Sequence, residues 1–231
     1  MPPGGRRPYA SGVSTEPSPP SLTERRKAAT QLDIAHAAAE LFATRGPEAT
    51  TAEEIARRAG VALRTFYRYF RSKQDAVGPL LTVGADQWRA LLAETPPGTA
   101  LGPALRDAVE RSLATPDPRA TEALLRTRGL LRAAADDPAL RAVWYRVNQE
   151  SEELLVPVIA RLTDGRRDPL DVRLVAAAAT DAIRIALEVW SATEAATEGP
   201  GSPADLAVRC LRRLLGGMVT ARDEDDADPL H

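Results

Sequence analysis

The sequence predicts an all-α protein of about nine helices, and three observations lead to this class. Alanine supplies 42 of the 231 residues while aromatic residues make up 4%, and such a composition favours closely packed helices over sheets. Helix-capping residues and Pro or Gly breaks recur along the chain. No segment has the alternating apolar and polar pattern of a half-buried strand.

Capping and breaking residues give the boundaries of the predicted helices in order. Ser21 with Glu24, and Thr51 with Glu54, have the spacing of a capping box, which satisfies free backbone N–H groups at a helix start. Glycine and proline mark the other starts and ends. The predicted helices cover about 22–45, 52–59, 62–70, 73–95, 101–114, 119–135, 138–162 with an interruption at Pro157, 169–196 and 203–218.

Composition divides the chain into four parts. Residues 1–20 contain six prolines and no apolar period, so we expect a disordered arm. Residues 21–75 form a small domain of short helices, and residues 76–219 form a larger helical domain. Residues 220–231 are rich in aspartate and should form a disordered acidic tail.

Several functional classes have little support in the composition. The single cysteine, Cys210, excludes an internal disulfide, and two histidines cannot build a His-rich metal site. The chain has no phosphate-binding loop and no nucleophile motif, so we expect no enzyme, no cofactor and no metal. No apolar run approaches the ~20 residues of a membrane span, and the first residues lack a signal peptide. We therefore expect a soluble cytoplasmic protein.

The net charge of −2 hides a difference between the two halves. Residues 24–75 carry ten Lys and Arg against seven Asp and Glu, whereas residues 76–231 carry 18 against 24. A basic front and an acidic back indicate that only the front of the molecule meets a polyanion.

Residues 50–73 have the pattern of a helix, a glycine-containing turn and a second helix. The first helix should bury Ile55, and the second should bury Phe66 and Phe70, which lie four residues apart on one face. The other faces of this short second helix are left exposed, which suits insertion into the major groove of DNA.

The exposed positions supply candidate DNA contacts. Arg64 can reach guanine edges, and Thr65 can touch a phosphate or a thymine methyl group. The tyrosines of the same helix can donate hydroxyl protons to phosphates, and free N–H groups at two helix starts are natural phosphate sites. The candidates from the residues themselves are Arg64, Thr65, Tyr67, Tyr69, Thr51 and Lys73.

This stretch resembles the TetR family of transcriptional regulators. The match is specific over about 50 residues, because many spaced positions agree at once. The residues that carry it are Leu41-Phe42, Gly46, Thr50-Thr51, Ile55-Ala56, Ala59-Gly60-Val61, Thr65-Phe66-Tyr67, Phe70 and Ser72-Lys73.

The resemblance implies a symmetric homodimer, a double-stranded DNA operator and a C-terminal domain that binds a small-molecule effector. It also implies that Leu63, Arg64, Thr65 and Tyr67 face bases or backbone, and that Thr51, Tyr69 and Lys73 contact phosphates. One departure is Ala62, where family members often carry a serine that caps the recognition helix.

The larger domain holds candidate effector contacts, because ligand pockets combine an apolar wall with a few polar groups. Asp181 and Arg184 are also spaced for a surface ion pair, and the tryptophans could simply fill the core. The candidates are Trp88, Arg128, Trp144, Asn148, Asp181 and Arg184.

The last two predicted helices could form the dimer seam. Ala178 and Ala182 would allow close helix approach, and Leu211 and Leu214 supply apolar knobs. The alternative is that these residues face only the core of the monomer.

Together these observations predict a homodimeric repressor that an effector releases from a palindromic operator. An activator on the same scaffold fits the sequence equally well. A different class, a helical ligand carrier or enzyme with a vestigial helix-turn-helix, is the remaining alternative.

Overall fold

A computed structural model of the chain describes residues 21–223, with side chains described through residue 216. This range contains nine α-helices, one 3₁₀ turn at Asp75–Val77 and no strand, which confirms the predicted all-α class. The helices are α1 Leu22–Arg45, α2 Ala52–Arg58, α3 Leu63–Tyr69, α4 Gly78–Ala93, α5 Leu101–Ser112, α6 Pro118–Asp136, α7 Pro138–Leu162, α8 Pro169–Ser191 and α9 Pro203–Asp223. The arm expected at residues 1–20 and residues 224–231 of the expected tail lie outside the described range.

Both predicted capping boxes are present. The Ser21 hydroxyl accepts a hydrogen bond from the Glu24 N–H at 3.2 Å, and the Glu24 carboxylate accepts one from the Ser21 N–H at 2.7 Å. Thr51 and Glu54 repeat this arrangement at 3.2 and 2.9 Å. The starts of α1 and α2 are therefore fixed by local sequence.

The predicted fourth helix begins later than expected. Ser72 does cap a turn, since its hydroxyl accepts from the Asp75 N–H at 3.1 Å. That turn is 3₁₀, and α4 starts only at Gly78. Pro79 explains the difference, because it has no N–H to continue the α-helical pattern back to the Asp75 carbonyl.

Two other helix ends and one expected interruption also differ from expectation. Helix α8 ends at Ser191 rather than Ala196, because the indole N–H of Trp190 donates to the carbonyls of Ala195 and Ala196, both at 3.1 Å, and holds them in a loop. Helix α9 runs on to Asp223. Helix α7 is continuous across Pro157, which lies on its exposed face.

Two groups of helices share one continuous core. Helices α1–α3 pack around Phe42, Ile55 and Phe66, all of which are buried. In the larger group α7 packs between α4 and α8, and α9 packs on α8 and α5. Helix α1 also packs on α6, so the small group is fastened to the large one along a helix face. Within the described residues, no helix has the length and apolar character needed to cross a membrane.

Candidate DNA-binding interface and an internal cavity

The turn between α2 and α3 has a defined geometry. Gly60 has a φ of +68°, a left-handed conformation that favours glycine. The Val61 N–H donates to the Ala56 carbonyl at 2.9 Å, which is the hydrogen bond of a Schellman helix end. Val61 itself packs against the core. These contacts fix the angle at which α3 leaves α2.

Aromatic packing sets which face of α3 is exposed. Phe66 is fully buried and its ring centroid lies 5.7 Å from that of Phe70. The opposite side of the helix carries Arg64 and Tyr67, and Tyr67 is 56% exposed. A short helix anchored by two aromatic rings therefore presents a basic and an aromatic side chain to solvent.

The other predicted contacts on α3 are less accessible. Leu63 and Thr65 are half-buried, and Leu63 packs against the core. Tyr69 is also half-buried against the core, and its hydroxyl accepts a hydrogen bond from the Arg68 guanidinium at 3.1 Å. The Arg68 guanidinium carbon lies 4.9 Å from the centre of the Tyr69 ring.

Lys73 reaches the backbone just before α2, where Thr51 is the N-cap residue. The Lys73 ammonium donates to the Thr50 carbonyl at 2.9 Å, so one of its three protons is already used. The Thr51 hydroxyl serves the capping box. Hydrogen bonds from the Thr51 N–H and hydroxyl, aided by the charge of Arg45, hold the pKa of Glu54 below its ordinary value. The charged capping box therefore sits beside the expected phosphate position.

Helix α3 begins without a side-chain cap. Ala62 occupies the N-cap position in extended backbone, and its side chain makes no capping hydrogen bond to the first N–H groups of α3. The serine that family members often carry here is replaced by Ala62, and α3 accordingly lacks the side-chain cap that a serine would supply.

A cavity of about 190 Å³ lies inside the larger group of helices. Its wall comes from α4, α6, α7 and α8, together with the segment that follows α5. Three of the predicted effector contacts border it, namely Trp88, Trp144 and Asn148. The Trp144 indole N–H donates to Glu188 at 2.7 Å, and the Asn148 amide donates to the Trp144 carbonyl at 2.8 Å. Both contacts hold α7 side chains in place in the wall.

The other three predicted contacts do not border this cavity. The Arg128 guanidinium stacks 3.7 Å above the Trp190 ring and donates to the Ala195 carbonyl, so it holds the loop after α8. Arg184 pairs with Asp181 at 2.8 Å and with Glu188 at 3.0 Å. Asp181 and Arg184 instead line a neighbouring surface site beside Tyr145, which shares Asn148 and Thr180 with the cavity wall.

Two further wall residues were not chosen as effector contacts from the sequence, although Thr180 stands out there as a polar residue in an apolar run. Ser151 on α7 and Thr180 on α8 are 6% and 5% exposed, and both border the cavity. Their position in otherwise apolar helical runs was the available signal. Serine and threonine hydroxyls in a helix more often bond to their own backbone, so this signal alone does not identify ligand contacts.

The predicted dimer residues fall into two classes. Ala182 is fully buried and Leu211 is 5% exposed, because α8 packs on α9 within the chain. Neither can meet a second copy in this arrangement. Ala178 is half-buried and Leu214 is 40% exposed, so both remain available.

An exposed, anchored helix-turn-helix on an all-helical body defines a DNA-binding protein. Residues 34–77 match the family model for bacterial regulatory proteins of the tetR family. Over these residues the chain is similar to the DNA-binding domain of the TetR family of transcriptional regulators, and it is a DNA-binding regulator.

Two curated relatives agree with this assignment. The chain is 29% identical over 196 residues to MftR of Mycobacterium tuberculosis, named as a mycofactocin biosynthesis transcriptional regulator, covering 84% of this chain and 97% of MftR. It is 29% identical over 148 residues to the HTH-type transcriptional regulator TcmR of Streptomyces glaucescens, covering 62% of this chain and 65% of TcmR.

The fold is similar to that of a solved family member. The crystal structure of a TetR-family transcriptional regulator from Rhodococcus sp. aligns with a TM-score of 0.51 at 19% identity, covering 82% of this chain and 97% of that one.

Proposed function

We propose that the protein is a homodimeric cytoplasmic repressor that a small-molecule effector releases from a palindromic DNA operator. In this proposal Arg64 and Tyr67 contact bases or backbone in the major groove. Leu63 and Thr65, which are less exposed, face the same groove. Thr51, Tyr69 and Lys73 contact phosphates. Two copies of α3 would enter successive major grooves roughly 34–36 Å apart.

The observation that supports effector control is that the helices lining the cavity also hold the DNA-binding helices. Arg146 on α7 donates to Asp75 in the 3₁₀ turn at 2.8 Å, and Val147, the next residue, borders the cavity. Asp137, the N-cap of α7, accepts a hydrogen bond from Gln74 at 3.0 Å. A shift of α7 would therefore also shift the 3₁₀ turn and the short segment that joins this turn to α3.

Helix α4 makes the same connection along the chain. It follows the 3₁₀ turn directly, and Leu81 and Trp88 lie in its cavity-facing side. A ligand that favours one position of α4 and α7 would thereby favour one spacing of the two recognition helices. Its effect on DNA binding cannot exceed its difference in affinity for the two conformations.

Dimerisation is supported by an apolar stripe on α8. Leu170, Leu174 and Ala178 follow one another at four-residue spacing, and Val189 lies about three turns further along. Leu170 is 66% exposed and Leu174 is 45% exposed, although both are large and apolar. Together with Leu214 on α9 these side chains offer a surface that a second copy would cover.

A gel-shift titration with the promoter region beside the protein's own gene tests this function. We expect saturable binding with a stoichiometry of two chains per site, and a reporter transcribed from that promoter should be repressed. Stronger transcription with the protein than without it would identify an activator. Absence of binding to any fragment of that region, with intact helicity, would contradict the proposed autoregulatory site.

A further inference from the structure

The wall of the cavity carries no charge. Within the described part of the chain, no Asp, Glu, Lys, Arg or His borders it, and most of its surface is apolar. Two wall residues bond to carboxylates that lie outside the wall: Trp144 donates to Glu188 at 2.7 Å, which pairs with Arg184 at 3.0 Å, and Thr115 donates to Glu198 at 2.6 Å. An ionised ligand would lose its hydration here without gaining a counter-charge.

Two hydroxyl groups in this wall lack hydrogen-bond partners. Among the described residues, Ser151 Oγ and Thr180 Oγ1 are buried and have no partner. They come from the two adjacent helices α7 and α8 and border the same cavity. Burying an unpaired hydroxyl costs free energy, so each group is available to a ligand that can pair with it.

Other hydroxyls of this wall are satisfied. Thr127 donates to the Ala123 carbonyl at 3.1 Å, Ser112 to the Val109 carbonyl at 3.0 Å, and Thr115 to Glu198 at 2.6 Å. The usual bond of a helical hydroxyl to the carbonyl of the preceding turn is therefore made at two wall positions and is missing at Ser151 and Thr180. The unmet hydrogen-bonding capacity is concentrated at the side formed by α7 and α8.

The size of the cavity limits the ligand. An apolar cavity of about 150 Å³ is large enough to bind benzene. The cavity here is about 190 Å³, and Trp88 and Trp144 offer aromatic surfaces to a flat molecule. A compact ring system fits these dimensions.

We propose that the effector is an uncharged, mainly apolar ring compound whose one hydroxyl, carbonyl or amide group pairs with Ser151 and Thr180. This inference rests on the proposed effector control and specifies its chemistry. The apolar part lies against Trp88 and the apolar side chains of α4 and α6. The polar group satisfies the two hydroxyls that the folded chain leaves unpaired.

Isothermal titration calorimetry of the full chain at pH 7 tests the proposal with three probes of equal ring size. The probes are 2-naphthol, its near-isostere 2-methylnaphthalene and the anion 2-naphthoate. We expect 2-naphthol to bind about 3–10-fold more tightly than 2-methylnaphthalene, since one hydrogen bond contributes about that factor. The anion should bind at least about 10-fold more weakly than 2-naphthol.

Matched variants assign the effect to the two hydroxyls. Thr180→Val keeps the side-chain shape, and Ser151→Ala removes one oxygen, so both should fold, as circular dichroism can verify. Each should reduce the preference for 2-naphthol over 2-methylnaphthalene to about 2-fold or less. The control Thr127→Val alters a wall hydroxyl that is already paired, and it should leave the preference unchanged.

Three results would overturn the proposal: equal binding of 2-naphthol and 2-methylnaphthalene, tighter binding of the anion, or an undiminished preference in both hydroxyl variants. Binding of none of the probes would overturn it as well. Operator binding is followed separately by fluorescence anisotropy. If 2-naphthol binds as expected but operator affinity does not change, effector control fails while the ligand chemistry stands.

Discussion

The side chains on and just after α3 differ in whether their hydrogen-bonding groups are already paired within the protein. Arg64 is exposed and, among the described residues, has no hydrogen-bond or ion-pair partner, so its full guanidinium is available to a base edge. Lys73 already donates to the Thr50 carbonyl, and the Tyr69 hydroxyl already accepts from Arg68. Discrimination between bases should therefore depend more on Arg64 than on these two residues.

Replacing Arg64 with alanine should lower affinity for the specific operator by ~1–3 kcal/mol and relax the preference at one base pair per half-site. Replacing Lys73 with alanine should weaken specific and random DNA about equally, and should reduce the salt slope by about one per subunit. Anisotropy titrations against both DNAs across a salt series separate the two effects. Arg106→Ala on α5 is the control. Identical behaviour of the first two variants would contradict the division of roles.

The missing cap at Ala62 gives a prediction about stability. Its backbone is already extended, as an N-cap requires, so Ala62→Ser should let the hydroxyl accept from an N–H of the first turn of α3. We expect the free energy of unfolding to rise by ~0.5–1 kcal/mol in urea titrations. Ala90→Ser, at an exposed position inside α4, is the matched control and should not stabilise. An equal gain in both variants would exclude capping as the cause.

At the scale of whole elements, the sequence predicted helix starts better than helix ends. Starts at α1 and α2 depend on side chains three residues apart, which a sequence displays directly. The end of α8 depends on where the Trp190 indole finds its acceptors, which is a property of the folded loop. The 3₁₀ turn before α4 was missed although Pro79, its cause, was visible.

The 3₁₀ turn also gives a pH-dependent contact between elements. Burial raises the pKa of Asp75, but hydrogen bonds from Arg146 and Ser72 and the charge of Arg146 outweigh it, so the pKa lies below its ordinary value. A lowered folded-state pKa means that the stabilisation is complete above the unfolded pKa of about 3.9 and is lost as pH falls through the folded pKa.

Asp75→Asn should accordingly destabilise the protein by about 0.5–1 kcal/mol at pH 7, the range for a partly exposed pair. The difference from wild type should shrink below about pH 4, where the wild-type carboxylate also takes up a proton. Urea unfolding from pH 7 to pH 3 measures it, with Asp86→Asn in the exposed Asp86–Arg89 pair as control. A difference that grows at low pH would show that another group is responsible.

At the scale of the whole molecule, the cavity and the proposed dimer surface were the features least accessible from sequence. The cavity wall combines residues from four helices, and which of their faces converge is decided by packing. Sequence reasoning therefore chose Trp88, Trp144 and Asn148, which border the cavity, together with Asp181 and Arg184, which do not, and it overlooked Ser151. Ala182 and Leu211 looked equivalent to Ala178 and Leu214 in the pattern, but packing of α8 on α9 buries only the first two.

The exposed residues give a prediction about assembly. Leu214→Glu and Leu174→Glu should each place a charge in the proposed dimer surface, at a cost of several kcal/mol. Sedimentation velocity should then show monomers that keep their helicity. Leu125→Glu is the control, since Leu125 is 45% exposed on α6, and it should stay dimeric. Dimers that persist in both of the first two variants would place the interface elsewhere.

Helix α7 reaches from the cavity to the 3₁₀ turn, and this shared element has a consequence for the amount of effector required. Coupling between two sites is reciprocal, so any factor by which the effector weakens operator binding is the factor by which the operator weakens effector binding. The regulator bound to DNA would therefore bind the effector only at a higher effector concentration than the regulator free in solution. Adding operator DNA to the purified regulator should therefore shift the effector-binding curve towards higher effector concentration, without any change in the protein.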